Sequence, residues 1–308
     1  MGASNDVNNV FEMISIPKNL FLHHRIAGIA KSIAYAGVLT ATKYSMANQS
    51  VKLALIDLSG TLHVDDQPTE GAVEALKRLR QHGVKVKFVT NTTKESVGSL
   101  FERLRKIGFE LERDEIYGSL GAAADYVRKN KLNPYYLLTD DARTDMPPNN
   151  AERAIDSVVV GLAPDKFCYE HLNEAFRVLH QNRSGGNVQL VAIHEGRYYK
   201  AKDGIALGPG CFVKGLEYST GVKPVCIGKP NEYFFRSALP EGVRVEECVM
   251  IGDDPNDDCL GAMRIGMKGY LVETGKYQPE MYTEQNRPAV SGIFRTFSDV
   301  VEHIITSG

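Results

Sequence analysis

From Val51 onward, short apolar runs alternate with stretches whose apolar residues recur every three or four positions. That alternation of buried strand and amphipathic helix predicts an α/β fold built on a parallel sheet. Residues 51–56 read as the first strand. A helix follows from about Thr69, with Ala72, Val73, Leu76 and Leu79 on one face and Gly83 as its stop, and 84–89 reads as the second strand. Thr92 with Glu95 three positions on has the capping-box pattern, and Leu100, Phe101, Leu104 and Ile107 carry a second helix to Gly108. Two strand–helix units therefore precede the middle of the chain.

Residues 130–222 read as an insertion with its own core: strands at 135–138, 157–160 and 188–193, a helix over 167–181, and turn-rich loops at 140–150 and 204–210. Runs at 225–227 and 248–251 resume the buried-strand pattern, followed by a helix over 260–265 and a strand at 269–272. The expected organisation is an N-terminal extension (1–50), a first part of a core domain (51–129), an α/β cap domain (130–222) and a second part of the core (223–308). The predicted fold class is thus α/β, a Rossmann-like parallel-sheet core with an inserted α/β cap domain.

Composition narrows the function. With 308 residues, 43% apolar and 24% charged, the chain can bury more than one core, as a globular enzyme does. A formal net charge of −2 without any long block of like charge excludes the basic footprint of a nucleic-acid binder. Five cysteines, an odd number with no Cys-x-x-Cys, suggest neither a disulfide framework nor a zinc site, and read as reduced thiols of an intracellular protein. No run of about 18 apolar residues occurs, so no transmembrane segment is expected. Between Glu12 and Asp57 there is no acidic residue, while Lys18, Arg25, Lys31 and Lys43 sit among small and apolar ones, a composition resembling an organellar transit peptide. Asp6 and Glu12 break the acid-poor start, so an extra helix or poorly ordered extension is the weightier reading. The expected location is cytoplasmic, or mitochondrial where the extension is a transit peptide.

In parallel sheets ligands bind beyond the carboxyl ends of strands, and those ends are where chemistry is expected. Here they carry Asp57-Leu58-Ser59-Gly60-Thr61, Thr90-Asn91-Thr92, Gly228-Lys229-Pro230 and Gly252-Asp253-Asp254-Pro255-Asn256-Asp257-Asp258. Thr90-Asn91 alone is more often a turn and Lys229 alone a solvated charge, and an Asp ending a strand can be only a turn or a helix cap. Together they supply a carboxylate nucleophile, a hydroxyl, a lysine and a second acidic cluster, the parts that phosphoryl transfer through an aspartyl-phosphate requires. Asp57 would attack phosphorus, Asp57 and Asp253 would hold the Mg2+ that offsets repulsion between a carboxylate and a phosphate dianion, Thr90 and Asn91 would meet phosphoryl oxygens, and Lys229 would pair with the charge. Asp258 would hold Lys229 or a metal-bound water in place.

This ordered set resembles the haloacid dehalogenase superfamily from about Val51 to the C-terminus, and the cap between the Thr90 and Lys229 motifs resembles its nitrophenylphosphatase-like branch. The resemblance implies magnesium on Asp57, the Ser59 backbone carbonyl and Asp253. It implies a small phosphorylated substrate or phospho-amino acid lying against Asp57, Leu58, Ser59, Thr90, Asn91, Lys229, Asp253, Asp254 and Asp258, and a homodimer of the kind that caps of this branch mediate. The sequence departs from the pattern at Ser59, where most phosphatases of the superfamily have a second Asp as general acid and base. A hydroxyl cannot fill that role near neutral pH, so a contribution of about 10²- to 10⁴-fold is missing. Alkyl phosphates are then expected to be poor substrates, and phosphoramidates, acyl phosphates or pyrophosphate acceptable ones. The competing reading is a regulatory protein that binds magnesium and a phospholigand with little turnover. A dehalogenase is the weaker alternative, since it would not need the Asp253 metal site. Cap residues His194, Arg197, Tyr198 and Lys200 are the candidates for specificity.

Overall fold

Buried parallel strands need apolar side chains on both faces, and the strand Leu53–Ile56 is fully buried. The computed structural model describes residues 50–181, 188–201, 203–277, 279–281, 284–285 and 288–307; the extension expected over 1–50 lies outside them except for Ser50. Six parallel strands form the main sheet in the order Gly292–Phe294, Lys268–Val272, Cys248–Gly252, Leu53–Ile56, Lys85–Thr90 and Ile116–Gly118. Alternate residues of the central strand point to opposite faces. Ala54 and Ile56 pack with Leu76 and Leu79 of helix Ala72–Gln81, Leu100 and Leu104 of helix Val97–Ile107, and Val300, Val301 and Ile304 of helix Phe297–Ser307. Leu53 and Leu55 pack with Phe234, Phe235 and Ala238 of helix Glu232–Ala238. The core is therefore the doubly covered sheet that the periodicity predicts.

A second parallel sheet has the order Pro224–Cys226, Gln189–Ala192, Ser157–Val160, Pro134–Leu137. One face packs on Leu120, Ala123 and Val127 of helix Ser119–Lys129. The other covers Ala175 and Leu179 of helix Tyr169–Gln181 and Val213 and Leu216 of helix Gly210–Thr220. Both sheets belong to one compact unit, Ser50–Gly308.

Four local expectations are corrected. The run at 225–227 does not return to the core sheet: Val225 is in register with Val191, so the chain leaves the second sheet only after Cys226. Both sheets are parallel and buried, and a three-residue apolar run does not say which one it joins. The second helix starts later than the Thr92–Glu95 pattern predicts. Ser96 is its cap, accepting from Ser99 N at 3.1 Å, while Thr92 N donates to Thr90 Oγ1 and Glu95 pairs with Arg103. Gly204–Leu207, read as loop, is a strand antiparallel to Tyr198–Ala201. Finally, the helix expected over 260–265 begins at Pro255 as a wide π-type segment under an Asp254 cap and narrows to a short α-helical turn at Gly261–Met263.

Candidate active site

Register brings the strand ends together. Ile56 lies beside Ile251 on one side and Phe88 on the other, and Asp57 N donates to Ile251 O at 2.8 Å. Asp57 therefore leaves the central strand beside the Asp253 and Thr90 turns. Lys229 arrives from the second sheet through Gly228, whose backbone N–H donates to Ile193 O at 2.8 Å. A Cβ on Gly228 would stand 2.3 Å from Asn91 Oδ1 and 2.7 Å from Ser119 Cβ, so this crossing needs the smallest residue.

Lys229 is 2% exposed, and its ammonium meets three oxygens. Nζ lies 2.5 Å from Asp57 Oδ1, 2.6 Å from Asp258 Oδ1 and 3.1 Å from Val89 O. Burial works against the ammonium, but Asp258 and Asp57 outweigh it and hold its pKa above the ordinary lysine value. Asp258 itself is pushed up to about 6 by burial, against the pull of Lys229. Its Oδ2 accepts from Asp254 N at 3.0 Å, and its Oδ1 meets Lys229 Nζ as an ion pair without hydrogen-bond geometry.

Asp57, Asp253 and Asp258 bring carboxylate oxygens within 4.8 Å of one another. Asp253 is 1% exposed; Oδ2 accepts from Lys276 N at 2.7 Å, and Oδ1 is buried without a hydrogen-bond partner among the described residues. Burial, with repulsion from Asp57 and Asp258, pushes the Asp253 carboxyl well above the usual carboxylate range. Asp257 is raised to about 7 by burial and by Asp254. An orphaned buried oxygen among hard oxygen donors fits a divalent cation such as Mg2+, and Asp57 and Asp253 are the carboxylates left to hold it. Gly60 and Gly275 make room for this arrangement: a Cβ on either would stand 2.1 or 2.0 Å from Asp253 Oδ2.

A cavity of about 470 Å³ is lined by Asp57, Ser59, Thr90, Asn91, Lys229 and Asp258 among the expected residues, but not by Asp253, and by His194, Tyr198 and Lys200 from the second-sheet segment. Arg197, a further specificity candidate, lines only an adjoining recess. Three of the sequence assignments change. Leu58 is fully buried in the core, so its side chain cannot meet a substrate and only its backbone is left to do so. Asp254 does not line the main cavity: Oδ1 accepts from Asn256 N and Asp257 N at 2.9 and 3.0 Å, and Oδ2 pairs with Lys276 Nζ at 3.2 Å. Its carboxylate is a helix cap and a counterion. Asn91 lines the cavity, but its amide holds the Lys229 backbone, with Nδ2 donating to Lys229 O and Oδ1 accepting from Lys229 N, both at 3.0 Å. Thr90 keeps its place, with its hydroxyl paired to Thr92 Oγ1 at 2.9 Å.

Sequence reasoning missed Lys276, which lines the same cavity. Asp253 and Asp254 hold its ammonium against burial, raising its pKa well above normal. Its signal was present: Thr274-Gly275-Lys276 follows the end of the strand Lys268–Val272, one more strand end. His63 was also passed over as chemistry. It is buried in the wall, Nδ1 lies 2.8 Å from Asp65 O, and its pKa is lowered to about 4 by burial and by Arg103. One cation–π contact shapes the mouth, where Lys94 Nζ sits 3.9 Å above the Tyr199 ring.

The chain matches the family model described as haloacid dehalogenase-like hydrolase over residues 54–146 and a HAD-hydrolase-like model over 226–300. It is 47% identical over 258 residues to haloacid dehalogenase-like hydrolase domain-containing protein 2 of Bos taurus, covering 83% of this chain and 97% of that protein. It is 35% identical over 245 residues to the phospholysine phosphohistidine inorganic pyrophosphate phosphatase of Homo sapiens, covering 78% and 88%. Among solved structures it resembles the glycerol phosphate phosphatase of Mycobacterium tuberculosis crystallised with magnesium, at 26% identity and a TM-score of 0.66 over 82% of this chain and 76% of that one. Strand-end motifs, parallel sheets and relatives agree: this chain belongs to the haloacid dehalogenase-like hydrolases, and within them to the phosphatase type.

Proposed function

We propose that the protein is a magnesium-dependent phosphohydrolase that works through an aspartyl-phosphate on Asp57 and acts on high-energy phosphoryl donors. The observation that carries this reading is the array Asp57–Lys229–Asp258 under an open cavity, with Ser59 two residues after the nucleophile. Asp57 attacks phosphorus, Lys229 offsets the charge of nucleophile and phosphoryl group, and Asp258 fixes the ammonium. A bound Mg2+ would be held by Asp57, the Ser59 carbonyl and Asp253, and would neutralise the phosphoryl charge. The segment carrying the second sheet acts as the cap domain, supplying the cavity wall that His194, Tyr198 and Lys200 line. Ser59 provides no acid for the leaving group, and so selects substrates whose leaving group departs unaided.

The same serine favours a second reading, a phospholigand-binding regulator. Phosphate release from acetyl phosphate, pyrophosphate, phospholysine, p-nitrophenyl phosphate and a sugar phosphate, with and without Mg2+, separates the two. The proposal expects release from the high-energy donors, loss in Asp57→Asn, and improved sugar-phosphate turnover in Ser59→Asp. Magnesium and phosphate binding without any release would favour the regulator.

A further inference from the structure

A histidine stands where the cap wall meets the catalytic lysine. His194 follows the strand Gln189–Ala192, is 8% exposed and lines the cavity together with Asp57 and Lys229. Its neighbour Ile193 accepts from Gly228 N, which fixes the loop against the segment that delivers Lys229. Gly196 N donates to His194 Nδ1 at 3.2 Å, so Nδ1 carries the lone pair and the ring proton sits on Nε2. Among the described residues Nε2 has a single contact, 3.5 Å to Thr93 Oγ1, and that hydroxyl already accepts from Leu162 N at 2.7 Å. The N–H is thus oriented but weakly used. The ring is also uncharged: burial, then Lys276 and Lys229, lower its pKa to about 3.

An in-line attack from Asp57 drives the leaving group away from the strand ends and toward the cap. We infer that His194 Nε2–H is the hydrogen-bond donor to an oxyanion leaving group, and that the site therefore prefers acyl phosphates and pyrophosphate over phosphoramidates. The inference rests on the phosphohydrolase reading above and narrows its substrate class. The bond from an Asp57 oxygen to phosphorus forms as the bond from phosphorus to the leaving oxygen breaks. That oxygen takes the electron pair and departs as a carboxylate or phosphate, which needs no proton from the enzyme. His194 keeps its own proton and acts as a neutral electrophile, a role for which a depressed imidazole pKa is suited. A phosphoramidate departs as a neutral amine from its N-protonated form, so no negative charge develops on nitrogen for the donor to stabilise, and the ammonium of Lys276 opposes binding of that cationic form. Ser59 thus leaves acid catalysis out, and His194 supplies charge stabilisation at the same end of the reaction.

The experiment compares wild type, His194→Gln and His194→Leu on acetyl phosphate, pyrophosphate, phospholysine and aryl phosphates of graded leaving-group pKa, with Mg2+ present. His194→Leu is expected to lose about 10²-fold in kcat on oxyanion-releasing donors, with the loss growing as the leaving group becomes more basic. His194→Gln, which retains an N–H, stays within several-fold of wild type, and phospholysine turnover changes little in either variant. Equal losses across every substrate, or a Gln variant as poor as Leu, would overturn the donor role. If wild type releases no phosphate from any of them, the phosphohydrolase reading falls, and orthovanadate binding with Mg2+ decides the role separately. Weaker binding by His194→Leu with unchanged urea unfolding supports it, and unchanged binding overturns it.

Discussion

The side-chain amide of Asn91 holds the backbone of Lys229 at both ends: Asn91 Nδ2 donates to Lys229 O, and Lys229 N donates to Asn91 Oδ1, each at 3.0 Å. A residue expected to touch phosphate instead sets the position of the lysine between Asp57 and Asp258. Asn91→Asp puts an oxygen against the Lys229 carbonyl and displaces that segment. The expected result is a loss of about 10²-fold in kcat, the scale of a small misplacement of a catalytic group, with Mg2+ affinity little changed. A variant with normal kcat would show that the pairing does not position Lys229.

Gly275 tests the metal site from behind. Its added Cβ would stand 2.0 Å from Asp253 Oδ2, and no unusual φ is needed at this residue. Gly275→Ala must turn the Asp253 carboxylate out of its slot, and Mg2+ affinity measured by calorimetry is expected to fall about 10- to 100-fold, the range for disturbing a ligand's support. Unchanged affinity would remove Asp253 from the proposed ligands.

Lys276 should move two affinities in opposite directions. Its ammonium lies 3.2 Å from Asp254 Oδ2 and lines the cavity that would take the substrate. Lys276→Met takes positive charge away from Asp253 and Asp254, so Mg2+ binds more tightly, while inorganic phosphate in the presence of Mg2+ binds more weakly. If both affinities fall together, the lysine is a structural pin and not a component of the site's electrostatic balance.

Two buried imidazoles link stability to pH. His63 and His194 have pKa values lowered to about 4 and about 3, against an ordinary 6.5 in the unfolded chain. Below pH 6.5 the unfolded state takes up protons that the folded state refuses, so the contribution is fully present above pH 6.5 and is lost as pH falls toward the folded values. Each group adds at most about 1.4 kcal/mol per pH unit in that window. Urea unfolding in EDTA between pH 4 and 7 is expected to show a flatter pH dependence in His63→Gln and His194→Gln than in wild type. Parallel curves would mean that neither ring is buried neutral.

Asp57, Lys229 and the acidic turn at Asp253 were legible in the sequence because each follows an apolar run whose period marks a buried strand. It could not separate ligand from scaffold within a turn. Asp253 and Asp254 are chemically identical neighbours, and only the fold shows one buried with an orphaned oxygen while the other caps Pro255–Leu260. The strand Ile116–Gly118 was missed because three residues carry too little periodicity, and Pro224–Cys226 was assigned to the wrong sheet because both sheets bury the same kind of run. Lys276 carried a local signal as one more strand end, but its pairing with Asp253 and Asp254, and the placement of His194 against Thr93, depend on contacts between separate segments that no local pattern encodes.

The most direct measurement is a rapid acid quench of the protein mixed with acetyl phosphate and Mg2+, followed by peptide mass analysis. One phosphoryl group on the peptide containing Asp57, removed by hydroxylamine and absent from Asp57→Asn, is the expected result. Because Ser59 cannot act as base for water attack, the phosphoenzyme should also accumulate in an early burst. Phosphate release at full rate from Asp57→Asn, or a phosphoryl group found on another residue, would contradict the account.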